Sequence, residues 1–440
     1  MSKRIQYVIL LILAALLLTG CSLKTVEQMY ALPKRSESYN NLQSAIDGAM
    51  NGLEYSAPLS GENQQTVQPA DLDGDGVEEF LLFAKGGQER PMKILIFRSQ
   101  DDTYVHVDTV SCNGSAFDLV EYVEMDGTPG VEIVVGRQLN DQVIRSASVY
   151  SFIDGEVEQL LSVNYTKFLT ADMDSDGLTE LLVLRSGQTE TDNGIVTLYG
   201  MENGTMERAN EVNMSQPADK LKRIILGQLQ DGVPAVYVAS TVGDTAIVTD
   251  VYAVVNGLFT NISYSNESGT SVQTLRNFYV YADDIDNDSV VELPYLITMK
   301  PVGENRASDR HHLIRWFSMA TDGTEVNKVH TYHNFVGGWY VQLGDVWASR
   351  VSVTSSGNQY EFYLWDEEYG DASKIMTIYA LTGQNREEQG SAEERFILYR
   401  TDSTVFAATL HEAAQQLELS RDSVIYSFRM IQQDWKTGET

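Results

Sequence analysis

The sequence predicts an all-β chain, a β-propeller of six or seven four-stranded blades with short N- and C-terminal helices. Three observations predict it. One acidic pattern, D-x-D-x-D-[GS]-x-x-E, occurs at Asp71 to Glu79, at Asp172 to Glu180 and at Asp284 to Glu292. Each copy runs directly into a short apolar stretch, beginning at Phe80, Leu181 and Leu293, of the kind that forms a buried strand. The copies start 101 and 112 residues apart, about twice the ~50-residue period of propeller blades.

That spacing predicts a blade halfway between each pair of copies. Glu124-Met-Asp126-Gly-Thr128-Pro-Gly-Val-Glu132 fills the first gap and Gln228-Leu-Gln230-Asp-Gly232-Val-Pro-Ala-Val236 the second, each followed by an apolar run. Both keep the turn and the strand but lose ligands. Blades without metal are expected there, or a weak site at Glu124, Asp126 and Glu132. Beyond residue 300, strands are expected around Val351, Phe362, Ile375, Phe396 and Phe406. Counting on from about residue 60 at this period gives the six or seven units.

The acidic pattern has a chemical reason. Alternate side chains of a tight turn converge on one point, and a hard divalent cation takes six to eight oxygen ligands there. An EF-hand would need a bidentate Glu at position twelve and flanking helices. Those positions are Leu82, Val183 and Tyr295, so the carboxylate at position nine must close each site instead. Glycines at positions four and six of the first loop suit left-handed backbone, the second loop keeps only Gly177, and the third has neither. On this ground affinity is expected to fall from the first loop to the third.

With these residues in view, the loops resemble FG-GAP/VCBS-type repeats, the calcium-loop blades of the integrin alpha-subunit propeller and of many bacterial surface proteins. The resemblance covers residues 70 to 300 well and the remainder by period alone. It implies about three Ca²⁺ ions. The implied ligands are Asp71, Asp73, Asp75 and Glu79, then Asp172, Asp174, Asp176 and Glu180, then Asp284, Asp286, Asp288 and Glu292. A backbone carbonyl of Val77, Leu178 or Val290 completes each set. Family members often carry Asp where this chain has Glu, which binds through one oxygen or two.

The amino terminus carries its own signal. Lys3 and Arg4 precede an apolar stretch from Ile5 to Leu18, followed by Leu18-Thr-Gly-Cys21. This resembles a bacterial lipoprotein signal. It implies a signal peptide over 1–20, a lipidated Cys21 with a tether over 21–36, and a propeller with its helices over 37–435. The expected place is extracytoplasmic, with the chain held on a bacterial membrane by acyl chains. Calcium is abundant outside cells, where modules typically bind it at roughly 10⁻⁴ to 10⁻³ M. Only Cys112 remains beside Cys21, so the mature chain is expected to have no internal disulfide.

Charge narrows the partners. The 440 residues carry 62 acidic against 31 basic side chains, a net charge of −31, which argues against nucleic acid and against anionic surfaces. A helix is expected after Ser36, with Leu42, Ile46 and Met50 on one face, plugging one end of the propeller or spacing it from the anchor. Another is expected after Ser420, with Val424, Phe428, Ile431 and Trp435.

Aromatic and histidine side chains gather from His311 to Trp347. Packing between blades is the expected role, with a sugar platform and a transition-metal site as alternatives. The G-x-S-x-G, H-E-x-x-H and phosphate-loop motifs do not occur. The favoured function is a binding or scaffolding module for a protein or glycan partner. A polysaccharide-acting enzyme on a propeller scaffold and a purely structural envelope lipoprotein are the alternatives.

Overall fold

Six antiparallel sheets follow one another along the chain in the computed structural model, which describes residues 37–431 except 102, 140–143, 188, 190–191, 303–310, 367–369 and 393. They are the blades of a β-propeller. The signal peptide, Cys21, the tether and Trp435 lie outside the described residues. The third blade shows the plan: Lys167–Ala171, Glu180–Arg185, Ile195–Glu202 and Thr205–Asn213 pair in chain order. The second and fourth blades repeat it, and the first, fifth and sixth hold five strands.

The extra strands correct the expectation of four throughout. Glu54–Tyr55 shares the edge of Glu79–Lys85 with Val67–Ala70. Phe428–Met430 adds to the fifth blade beside Trp339–Leu343. Phe396–Arg400 ends the sixth, whose other strands are Val351–Ser356, Gln359–Trp365, Ala372–Thr382 and Thr404–Leu410. The strands expected after residue 349 therefore make one blade, so the described residues hold six.

Strands buried on both sides read as apolar runs rather than alternating ones. Glu180–Arg185 shows why. Leu182 and Leu184 pack toward the fourth blade with Val236 and Tyr252, while Leu181 and Val183 pack toward the second with Val134 and Val149. Similar clusters join the first blade to the second, the fourth to the fifth and the fifth to the sixth.

The two end blades have faces left to cover. The helix Glu37–Ala49 lays Leu42 and Ile46 on Leu82, Ala84, Leu95 and Phe97 of the first blade. It covers a sheet face and does not plug an end. On the sixth blade, Gly390 of the short helix Arg386–Gly390 approaches Val405, Ile397 and Leu381 so closely that a Cβ would sit 2.9 Å from Val405.

The C-terminal segment departs from its periodicity. Ser420 caps the helix Arg421–Ser427 in a reciprocal pair with Ser423, as its position suggests. Phe428, expected on the same helix, instead starts the strand that pairs with the fifth blade. Edge hydrogen bonds and the ring of Trp339, stacked on Phe428 at 5.4 Å, outweigh another helical turn.

The aromatic region is core. Trp316 and Trp339 are fully buried, and Trp316 Nε1 donates to Thr331 Oγ1 at 2.8 Å. His333 lies among Trp316, Phe335 and Tyr340, and burial pushes its pKa down to about 3. A sugar platform built on these rings is thereby ruled out.

Candidate metal centres

Each of the three full loops sits between the innermost strand of a blade and the next one, and the degenerate loop at Glu124 sits there too. The register fixes this equivalence: Ala70 pairs with Glu79, Val123 with Glu132, Ala171 with Glu180 and Asp283 with Glu292. In the fifth blade the inner strand has shrunk to that single bridge. The loop at Gln228 differs, because Gln228 pairs with Pro234 and Leu229 N–H donates to the Val233 carbonyl. It is a shorter turn, so its match to the nine-residue pattern is not structural.

Positions one, three and nine converge in four places. Carboxylate oxygens of Asp71, Asp73 and Glu79 lie within 4.8 Å of one another, as do those of Glu124, Asp126 and Glu132, of Asp172, Asp174 and Glu180, and of Asp284, Asp286 and Glu292. Each cluster has a buried glutamate with two further carboxylates, of which those of Asp174 and Asp286 are exposed, and is able to hold a metal ion. Position five is turned differently. Asp75, Asp176 and Asp288 each accept the backbone N–H of position seven through Oδ1, at 2.7 to 2.9 Å, and stand outside the clusters.

The glutamate at position nine has one oxygen committed. Its Oε2 accepts the N–H of position two in all four loops: Leu72 at 3.0 Å, Met125 at 2.9 Å, Met173 at 2.7 Å and Ile285 at 3.1 Å. This fixes the carboxylate and leaves Oε1 for a cation, so the long side chain would bind through one oxygen. At Glu292 that Oε1 is fully buried and has no hydrogen-bond partner among the described residues.

Burial raises these acids. Glu292 is pushed up to about 8, and Glu180 and Glu132 to about 7, by desolvation first and by the neighbouring aspartates next. Glu79 is also raised by burial, with Arg98 pulling against it.

Arg98 and Lys328 are what sequence reading missed. Arg98 Nε donates to Glu79 Oε1 at 3.1 Å, and its Nη2 pairs with Asp73 Oδ2. Lys328 Nζ holds Asp288 Oδ2 at 2.8 Å. Both come from strands well beyond their loops, and only cross-strand register brings them there. Comparing blades position by position would have exposed Arg98. The residue after the partner of position ten is Arg98 in the first blade, Ser151 in the second, Gly200 in the third and Ser318 in the fifth.

Backbone conformation agrees with the turn chemistry expected. Positions four and six have positive φ in all three full loops: Gly74 and Gly76, Ser175 and Gly177, Asn287 and Ser289. Gly74 and Gly130 interlock neighbouring loops, since a Cβ on Gly130 would lie 2.3 Å from the Leu72 carbonyl oxygen. Gly130→Ala is expected to cost roughly 2–4 kcal/mol from clash and left-handed strain together. Gly155→Ala, also at positive φ but in open space, should cost only about 1 kcal/mol. Urea unfolding of both variants measures the difference.

Beside the third-blade loop, where Gly200 replaces the arginine, lies a cavity of about 340 Å³ lined by Asp174, Glu180, Leu178, Gly200, Met201 and Phe259 among others. Buried acids elsewhere have structural roles. Asp250 accepts from Ser215, Ser271 and Asn261, and Asp118 from Tyr165 at 2.6 Å.

No protein-family model matches the chain, and no curated protein matches it. Among solved structures, the exotype rhamnogalacturonan lyase YesX aligns over 81% of this chain and 72% of its own, with 14% identity and a TM-score of 0.29. A protein from Lactobacillus plantarum aligns over 72% of this chain and 86% of its own, with 10% identity and a TM-score of 0.25. Likenesses this shallow carry nothing about activity.

Proposed function

We propose that this chain is a lipid-anchored, extracytoplasmic, calcium-binding β-propeller that serves as a binding or scaffolding module for a protein or glycan partner. The calcium reading is carried by one observation above the others. Glu292 places a buried, unpartnered oxygen into a cluster with Asp284 and Asp286, an arrangement costly to leave without a cation. Oxygen-only ligands in a turn suit a hard ion of the size of calcium. Calorimetric titration with calcium tests this reading, and absence of binding heat in the intact protein would refute it.

The anchor rests on the Leu18-Thr-Gly-Cys21 box. Cys21→Ser is expected to abolish acyl labelling and to move the protein out of the membrane fraction. Retention of the variant on membranes would point to the apolar segment as the anchor. The rings of Trp316, Tyr332 and Trp339 are buried and offer no partner surface. Screening the soluble protein against glycans and envelope proteins, with and without chelator, tests the module reading.

A further inference from the structure

We propose that the first of the three full loops is not a calcium site, because Arg98 is its resident cation, and that calcium enters the third- and fifth-blade loops instead. The inference rests on the calcium reading above and refines it.

Three contacts hold the guanidinium in place. It donates through Nε to Glu79 Oε1, the oxygen that the other loops leave open, and through Nη2 to Asp73 Oδ2. Its remaining face lies over the Phe152 ring of the second blade, 5.2 Å from the centroid, where a cation is attracted to the π-electrons. A planar fork matches two carboxylates better than a point charge does. Asp71 keeps a buried Oδ1 without a hydrogen-bond partner among the described residues, but Asp73 and Glu79, the other two of the three ligands an ion would need, are both taken by the guanidinium, so ion and guanidinium exclude one another.

The other blades lack this device. Gly200 has no side chain, and Ser151 and Ser318 carry no charge. Ser318 Oγ is engaged with Gln230 Oε1 at 2.6 Å. In the fifth blade, Lys328 takes Asp288 at position five and leaves Glu292 Oε1 unpaired. The first blade is therefore built to keep its loop folded, and locked against the second blade through Gly74 and Gly130, whatever the calcium level.

The order of affinity expected from glycine content is inverted at its top. The first loop has the least strained backbone and yet takes no ion, since electrostatic occupancy by Arg98 outweighs the conformational advantage of its two glycines.

The test counts ions by calcium calorimetry on the intact protein. Asp174→Asn is expected to lose one ion, Asp73→Asn to lose none, and Arg98→Met to gain one. Loss of an ion in Asp73→Asn would overturn the inference while leaving the calcium reading intact. Absence of binding in every form would overturn the calcium reading instead. Amide exchange then judges the inference alone: protection of Leu72, Gly76 and Val77 should survive chelation in the native protein and fall at least tenfold in Arg98→Met. Unchanged protection in that variant would show that Arg98 does not hold the loop. Asp73→Asn keeps the count decisive if Arg98→Met does not fold.

Discussion

Chelating calcium is expected to lower the melting temperature by several degrees at pH 8.5 and to change it little at pH 5.5. Sites with dissociation constants of about 1 mM contribute roughly 1.4 kcal/mol each at about 10 mM calcium. The pH dependence follows from the raised carboxyls. Glu292 is pushed up to about 8 and Glu180 to about 7 in the ion-free fold, whereas an unfolded glutamate titrates near ~4.3. Between those values the folded state holds protons that the unfolded state has released. The ion-free protein is thus stabilised by these groups at low pH and loses that stabilisation progressively as pH rises from about 4.3 to about 8. Calcium requires the ionised form, so its affinity rises over the same interval. Scanning calorimetry at both pH values, with calcium and with chelator, checks the sign. A calcium-induced shift that is equal at pH 5.5 and 8.5 would show that these glutamates do not close the sites.

Trp339→Ala is expected to cost about 3–5 kcal/mol, the largest single-residue effect foreseen in this chain. The indole is fully buried and joins three elements. It stacks on Phe428 of the C-terminal strand, meets Tyr360 of the sixth blade edge-on at 5.1 Å, and lies 5.8 Å from Tyr332 of its own blade. Removing it opens a cavity at the junction of the fifth and sixth blades and frees the strand Phe428–Met430. Urea unfolding should show the lowered midpoint, and amide exchange at Arg429, paired with Tyr340, should accelerate. Tyr426→Ala is the comparison. That side chain is 74% exposed, and its loss should stay within about 0.5 kcal/mol.

Much of this architecture was legible in the chain because its signals are local. The D-x-D-x-D pattern encodes a turn, since short acidic side chains bond backbone N–H groups two to five residues on, as Asp71 does with Gly76 at 3.0 Å. The apolar run after each loop encodes a strand buried on both sides. Repetition at a fixed interval encodes the blades. The pattern picked out positions one, three and nine, whose carboxylates converge in each loop, together with position five, which does not join them, and it pointed to Glu124, Asp126 and Glu132, which converge as well.

Local signals failed where the deciding contact came from elsewhere in the chain. Helical spacing from Val424 to Ile431 suggested one helix, but pairing with Trp339–Leu343 turned Phe428–Met430 into a strand. The match at Gln228 looked like a degenerate copy, but Gln228 pairs with Pro234 across a shorter turn.

The sequence by itself determined the turns, the strands, the period of the blades and the residue types able to meet a cation, because each depends on neighbours within about ten positions. Tertiary structure alone decided which basic side chains stand at which loop. Arg98 and Lys328 reach their loops through strand register, and register is fixed by the burial of whole sheet faces rather than by any local motif.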